Sequence, residues 1–86
     1  MSEYQSYIEI VYAGVSATGK TDVWIVKNVK DHVPIGFVRW AGNWRKYVFE
    51  QEGSIYYDWN CLREIADFIE LVTKQHRQGI RPQISE

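Results

Sequence analysis

The sequence predicts an α+β domain: an antiparallel β-sheet of four to five short strands, followed by one C-terminal helix packed on one face. From Tyr7 to Tyr57, runs of β-branched and aromatic side chains alternate with clusters of Gly, Ser, Thr, Asn and Pro, the pattern of strands joined by turns. After Asn60 the apolar residues recur at spacings of three and four, the period of a helix. The chain has 86 residues, enough for one hydrophobic core and not for two, so two-domain enzymes and doubly wound nucleotide folds are excluded.

Tyr7 to Tyr12 and Asp22 to Val29 are dense in residues that suit a pleated, half-buried surface, and both are expected as strands. Between them Ala13 to Thr21 carries the glycines, serine and threonines of a long hairpin loop. Lys30 to Pro34 breaks the pattern, because proline cannot donate to a ladder. The third strand is expected over Ile35 to Trp40. Ala41-Gly42-Asn43 then forms the connection, with Gly42 and Asn43 free to take positive φ, and Trp44 to Gln51 returns beside it. Ile55 to Tyr57 adds a short fifth strand.

The helix is expected over residues 60 to 77. Leu62, Ile65, Ala66, Ile69 and Val72 form its apolar stripe, and Arg63, Glu64, Asp67, Glu70 and Lys74 its polar face. Asp58 or Asn60 caps its free amides, Glu70 and Lys74 form an i,i+4 pair, Gly79 stops it, and the tail from residue 80 frays. The sheet is apolar on both sides. Val23, Ile25 and Val29 fall on one side of the second strand and Trp24 and Val26 on the other; Ile35 and Phe37 are separated from Val38 and Trp40 in the third. One helix covers only about 10 Å of width, so the second side calls for a curled sheet, a second copy or a partner.

The composition, 45% hydrophobic and 24% charged, is that of a packed core and not of a disordered tail. Ten basic against eleven acidic side chains argue against a surface built throughout for phosphate backbones. The charge is nevertheless uneven: residues 20–50 carry six basic and three acidic side chains, residues 51–70 one basic and five acidic. The lone cysteine, Cys61, cannot form an internal disulfide, and the start of the chain has no charged leader before an apolar run; the expected setting is cytoplasmic. No apolar stretch reaches the roughly 20 residues of a membrane span.

Gly14 to Thr21 satisfies G-x-x-x-x-G-K-T, in which Gly14, Gly19, Lys20 and Thr21 would be the phosphate-binding positions. That chemistry needs a helix directly after Lys20-Thr21, whose first amides hold the phosphate. Here a strand follows, so the match is expected to be a hairpin loop. The second constellation is aromatic and basic: Trp24, Arg39, Trp40, Trp44, Arg45 and Tyr47. Rings interleaved with cations suit either a recognition surface or core packing with arginine stems laid over the rings. Alternation sets Arg45, Tyr47 and Phe49 on one side and Trp44, Lys46 and Val48 on the other. As a nucleophile Cys61 would need a base; His76 lies about 22 Å further along the helix and His32 in a loop. One cysteine and two distant histidines do not make a metal site, and no cofactor is expected.

The run W-A-G-N-W-R-K-Y-V-F (Trp40 to Phe49), followed by Asp58 and C-L-R-E-I-A-D-F-I (Cys61 to Ile69), resembles a group of small, uncharacterised proteins from bacteriophages and prophages. In that group a Gly-x-Ile-x-Trp strand, a Trp-Arg-x-Tyr-x-Phe strand and a Cys-Leu-x-x-Ile-Ala-Asp-Phe helix occur in this order. The likeness spans about residues 22 to 77. Ala41 and Asn43 depart from it, standing where the group tends to show Tyr and a nearby Pro, so a different hairpin tip is expected. The resemblance implies a viral gene product and carries over no functional residue. The expected function is non-enzymatic protein–protein interaction with a host or phage partner or a second copy; the alternative is single-strand nucleic-acid binding through the aromatic and basic hairpin.

Overall fold

The computed structural model describes residues 7–54 and 56–79. Four antiparallel strands form an open sheet in the order β1 (Ile8–Val15), β2 (Asp22–Asn28), β3 (Pro34–Ala41) and β4 (Lys46–Gln51). One helix, α1 (Trp59–Arg77), follows and lies closest to β4. This is the α+β architecture expected from the patterning. Residues 56 and 57 are not a strand, and Ile55 and the tail 80–86 lie outside the described residues.

The first hairpin is tighter than the sequence suggests. β1 continues through Ala13 and Gly14 to Val15, because a bulge between Tyr12 and Gly14 absorbs one residue and lets Val15 pair with Asp22. The turn is left with residues 16–21, and β2 follows Thr21 directly. The β3–β4 connection differs in the opposite sense. Ala41 pairs with Lys46, so Trp44 and Arg45 belong to the turn and not to the strand. The amides of both donate to the Ala41 carbonyl, at 3.1 and 2.8 Å, and the positive φ falls on Arg45 (58°) instead of on Gly42 or Asn43.

A second bulge sets the sides of β3. Val26 pairs with Gly36 but Lys27 with Pro34, leaving Ile35 as the extra residue. A bulge turns two successive residues toward one side. Ile35 therefore joins the core with Val26 and Ile65, whereas Phe37 stays on the opposite side; simple alternation had placed the two together. Gly36 lies directly beneath the Phe49 ring.

The side facing α1 carries the large rings. Trp24 meets Tyr12, Tyr47 and Phe68 edge-on at centroid distances of 6.0, 5.5 and 5.0 Å. Val26, Val38 and Val72 fill the space around them, fully buried. Asp58 caps the helix, its Oδ1 accepting from the Cys61 amide at 2.9 Å, and Lys74 pairs with Glu70 at 2.9 Å. The last turn is closed by the Gln78 and Gly79 amides on carbonyls of residues 74–76. Two helix side chains also close the upper edge of β4: the Tyr47 amide donates to Thr73 Oγ1 at 3.1 Å, and Arg77 Nη2 donates to the Arg45 carbonyl at 3.1 Å. The Tyr47 amide lies on the free edge of β4, so α1 occupies a group that a further strand would use.

Candidate functional site

The aromatic and basic residues singled out in the sequence divide between core and surface. Trp24 and Tyr47 are 6% and 1% exposed. Tyr47 Oη accepts from the Asp22 amide at 3.2 Å, while Asp22, itself 1% exposed, accepts from Tyr12 Oη at 3.0 Å. Both rings are therefore removed from any recognition surface, because α1 packs on the side of the sheet that bears them. Trp40 is half-buried, edge-on to Tyr47 and stacked at 4.2 Å and 38° on His76. Arg39, Trp44 and Arg45 remain exposed, Trp44 at 64%.

The side of the sheet away from α1 presents two ladders. Val11, Ile25, Phe37 and Glu50 are cross-strand neighbours in one row; Arg39 and Val48 lie in the next, beside Val23 of β2. Val11, Val23, Ile25, Phe37 and Val48 are each only partly buried, so an apolar strip crosses all four strands. Among the described residues no element covers it. Arg39 Nε binds Glu50 Oε1 at 2.7 Å across the strip, and Glu9 faces Lys27 at its far end. Trp44 stands at the near end, above a groove of about 460 Å3 that it lines with Asn43, Arg39 and Val48.

A third feature joins segments distant in sequence. The strands alternate in direction, so turns 16–21 and 42–45 lie at one end of the sheet, and α1, starting after β4 at the other end, brings its C-terminus back to them. The bond from Arg77 to Arg45 fixes that meeting. Lys46, Lys74 and Arg77 then line one groove of about 410 Å3, floored by Ala66, Ile69 and Thr73. Reading the sequence segment by segment found the hairpin cations but missed Lys74 and Arg77. Their signal was the up-and-down strand order, which returns a helix of this length to the hairpin tip.

The G-x-x-x-x-G-K-T loop is a β-hairpin turn. Its groups are engaged with one another: the Ser16 amide donates to the Thr21 carbonyl at 2.8 Å, the Gly19 amide to the Ser16 carbonyl at 2.9 Å, and Thr21 Oγ1 to Ser16 Oγ at 3.0 Å. Gly14 and Gly19 take positive φ (122° and 76°), Lys20 is exposed, and the strand β2 stands where a phosphate-binding helix would have to start.

Cys61 is buried at the start of α1, facing the sheet. Burial, and then the negative charges of Glu64 and Asp58, push its thiol above the ordinary pKa. Burial likewise raises Tyr57, with Cys61 adding to it. A raised pKa favours the neutral thiol in the folded state, so its contribution to stability is present below the unfolded pKa and lost as pH rises through the folded one. Iodoacetamide at pH 8 is expected to modify Cys61 at least tenfold more slowly in the native protein than in urea; equal rates would show an accessible thiolate. His32 Nδ1 lies 3.0 Å from Glu9 Oε1, and His76 is held on Trp40, so neither serves Cys61. Among the described residues no three His, Cys, Asp or Glu side chains gather as a metal site, and no helix is long and apolar enough to cross a membrane.

The chain is similar to an uncharacterized 9.3 kDa protein of Acholeplasma phage L2, with 26% identity over 77 residues that cover 90% of this chain and 94% of the phage protein. No known protein family matches it. No solved structure matches it either. This likeness, to a phage protein of nearly the same length, is consistent with a small phage-encoded protein and assigns no activity to any residue.

Proposed function

We propose that this chain is a small, non-enzymatic, phage-type binding module that acts by protein–protein interaction through the open side of its sheet, with a second copy of the chain as the partner. The observation that carries this reading is the strip Val11, Val23, Ile25, Phe37 and Val48, partly exposed across all four strands with no described element over it. An apolar patch of this kind, rimmed by polar groups, marks an interaction site in a small protein. Its charges are of both signs, Arg39 beside Glu50 and Glu9 opposite Lys27, so one face can meet another of its kind without massing like charges. Two such sheets stack about 10 Å apart and bury their apolar sides in a sandwich. Arg39 and Trp44, at the margin of the strip, remain binding residues in this reading; Trp24 and Tyr47 support it from the core.

The non-enzymatic part rests on the chemistry of the available groups. Cys61 is buried and disfavoured as thiolate, and the loop Gly14–Thr21 spends its backbone groups on its own turn. Light scattering over 10–200 µM tests the reading. The wild type is expected to pass from monomer to dimer, and Phe37→Lys, which puts a charge in place of the ring at the middle of the strip, is expected to stay monomeric with its helix and sheet intact by circular dichroism. A wild type that stays monomeric throughout, or a Phe37→Lys variant that dimerises equally well, would overturn it.

A further inference from the structure

We propose that the end of the molecule formed by turns 16–21 and 42–45 and the C-terminus of α1 is a second binding site, adjoining the open side of the sheet at Arg39 and Trp44, and that its ligand is the phosphodiester backbone of a single-stranded nucleic acid. The electrostatics come from the topology. Lys20 in the first turn, Arg45 and Lys46 at the β3–β4 turn, and Lys74 and Arg77 on α1 are brought to one end, and all five are exposed. Three of the described residues there or in its grooves are acidic. Asp22 is buried and bonded to Tyr12, Glu70 is paired with Lys74, and Glu50, which lines the groove with Arg39, is paired with it. The opposite end holds Asp31, Glu52 and Asp58 against one cation, Lys30, in its connections. A formal charge of −1 on the whole chain therefore conceals a positive pole and a negative one.

The geometry favours a single strand. Lys46, Lys74 and Arg77 share one groove, Arg39 and Trp44 line a second, and Arg45 stands between them in sequence and is tied to Arg77. Cations along a groove follow a backbone, and an exposed ring at its margin stacks on a base; Trp44 is such a ring, and Trp40 lines the same groove, held on His76. Bases are open to stacking on protein rings where they are unpaired, and in a duplex they are already stacked on one another. Arg45 is kept in the turn by the two amides on the Ala41 carbonyl and by Arg77, so the groups are ordered before a ligand arrives.

Fluorescence anisotropy of a labelled twelve-nucleotide oligo-dT at 50 mM salt, with the full chain, tests this. A Kd of tens of micromolar or tighter is expected, with a log–log salt slope of about −2 to −3.5, the value for three to five neutralised phosphates. Raising salt to 200 mM should then weaken binding by at least about fifteenfold. Lys46→Ala should reduce the slope by about 0.7, and Trp44→Ala should weaken binding about five- to a hundredfold. Both side chains are exposed, so unchanged thermal melts separate lost binding from lost fold. Phe37→Lys should bind the oligonucleotide like the wild type, which keeps this site's failure distinct from that of the sheet interface. No binding at 100 µM protein, an unaffected Trp44→Ala, or equal competition by a duplex or by an oligoglutamate of the same charge would overturn the proposal, the last by making the ligand an acidic peptide.

Discussion

Trp24→Ala is expected to lower stability by about 3–5 kcal/mol, the usual cost of emptying the site of a large buried ring. The indole is 6% exposed and its neighbours are themselves rings: Tyr12, Tyr47 and Phe68 all approach it edge-on. Such pairs add about 0.5–1.5 kcal/mol beyond the area they bury. Two of the rings also hold Asp22, Tyr12 through its carboxylate and Tyr47 through its amide, so a collapse around the missing indole would disturb a buried carboxylate's hydrogen bonds. A domain of 86 residues has on the order of 4–13 kcal/mol in total. The variant should thus melt at least about 12 °C lower, with loss of its near-ultraviolet circular dichroism. A shift of under 4 °C would mean that Trp24 is not the centre of the core. Trp44→Ala serves as the contrast: its ring is 64% exposed, and removing it should leave the melting temperature within about 2 °C.

That two tryptophans twenty residues apart have such different expected effects marks the limit of what the sequence discloses. The alternation in β2 separates Trp24 and Val26 from Val23 and Ile25 without error, because period two is a property of the strand alone. Which of two apolar sides receives the helix is decided by the β4–α1 connection and by ring volume, and neither is visible in a hydrophobicity pattern. The ends of the helix were legible, but its packed face only in part: Leu62 and Ala66 of the expected stripe are exposed, while Phe68 and Thr73 turn inward. The Asp58 cap, the Glu70–Lys74 pair and the stop at Gly79 all follow from spacing within one segment. Ile35 was not, since a bulge is settled between two strands: β3 carries one more residue than β2 over the same length, and the surplus turns inward. Arg45 failed for a similar reason. Gly42 and Asn43 advertise a turn, but its length is set by the Ala41–Lys46 pairing, which moves the positive φ two residues on. The candidate site follows the same rule. Its hairpin cations are contiguous and could be read directly, whereas Lys74 and Arg77 reach them only through the fold.

The bulge gives the second large effect. Gly36→Ala should cost at least about 3 kcal/mol, the upper part of the range for overpacking, because the added methyl has nowhere to go. Placed on the existing backbone, a Cβ at residue 36 would lie 2.5 Å from the Glu50 carbonyl oxygen and 2.6 Å from Cε1 and Cζ of Phe49. The ring can swing away, but it is held edge-on against Tyr57 at 5.9 Å, and Tyr57 in turn reaches the Ile35 carbonyl at 3.4 Å. The carbonyl oxygen belongs to β4 itself and can move only if β3 and β4, whose ladder is continuous here, separate beside the bulge that interrupts the pairing of β3 with β2. These two obstacles are separable by a double-mutant cycle in urea. Phe49→Leu alone is expected to cost about 1–2 kcal/mol and, combined with Gly36→Ala, to recover part of the loss by removing the ring edge, with the backbone share remaining. Full additivity would show that Phe49 does not lie over residue 36. Complete recovery would show that β4 yields freely at Glu50, and the β3–β4 ladder would then be too loose to hold Arg45, Lys46 and Trp44 in a fixed arrangement at its other end.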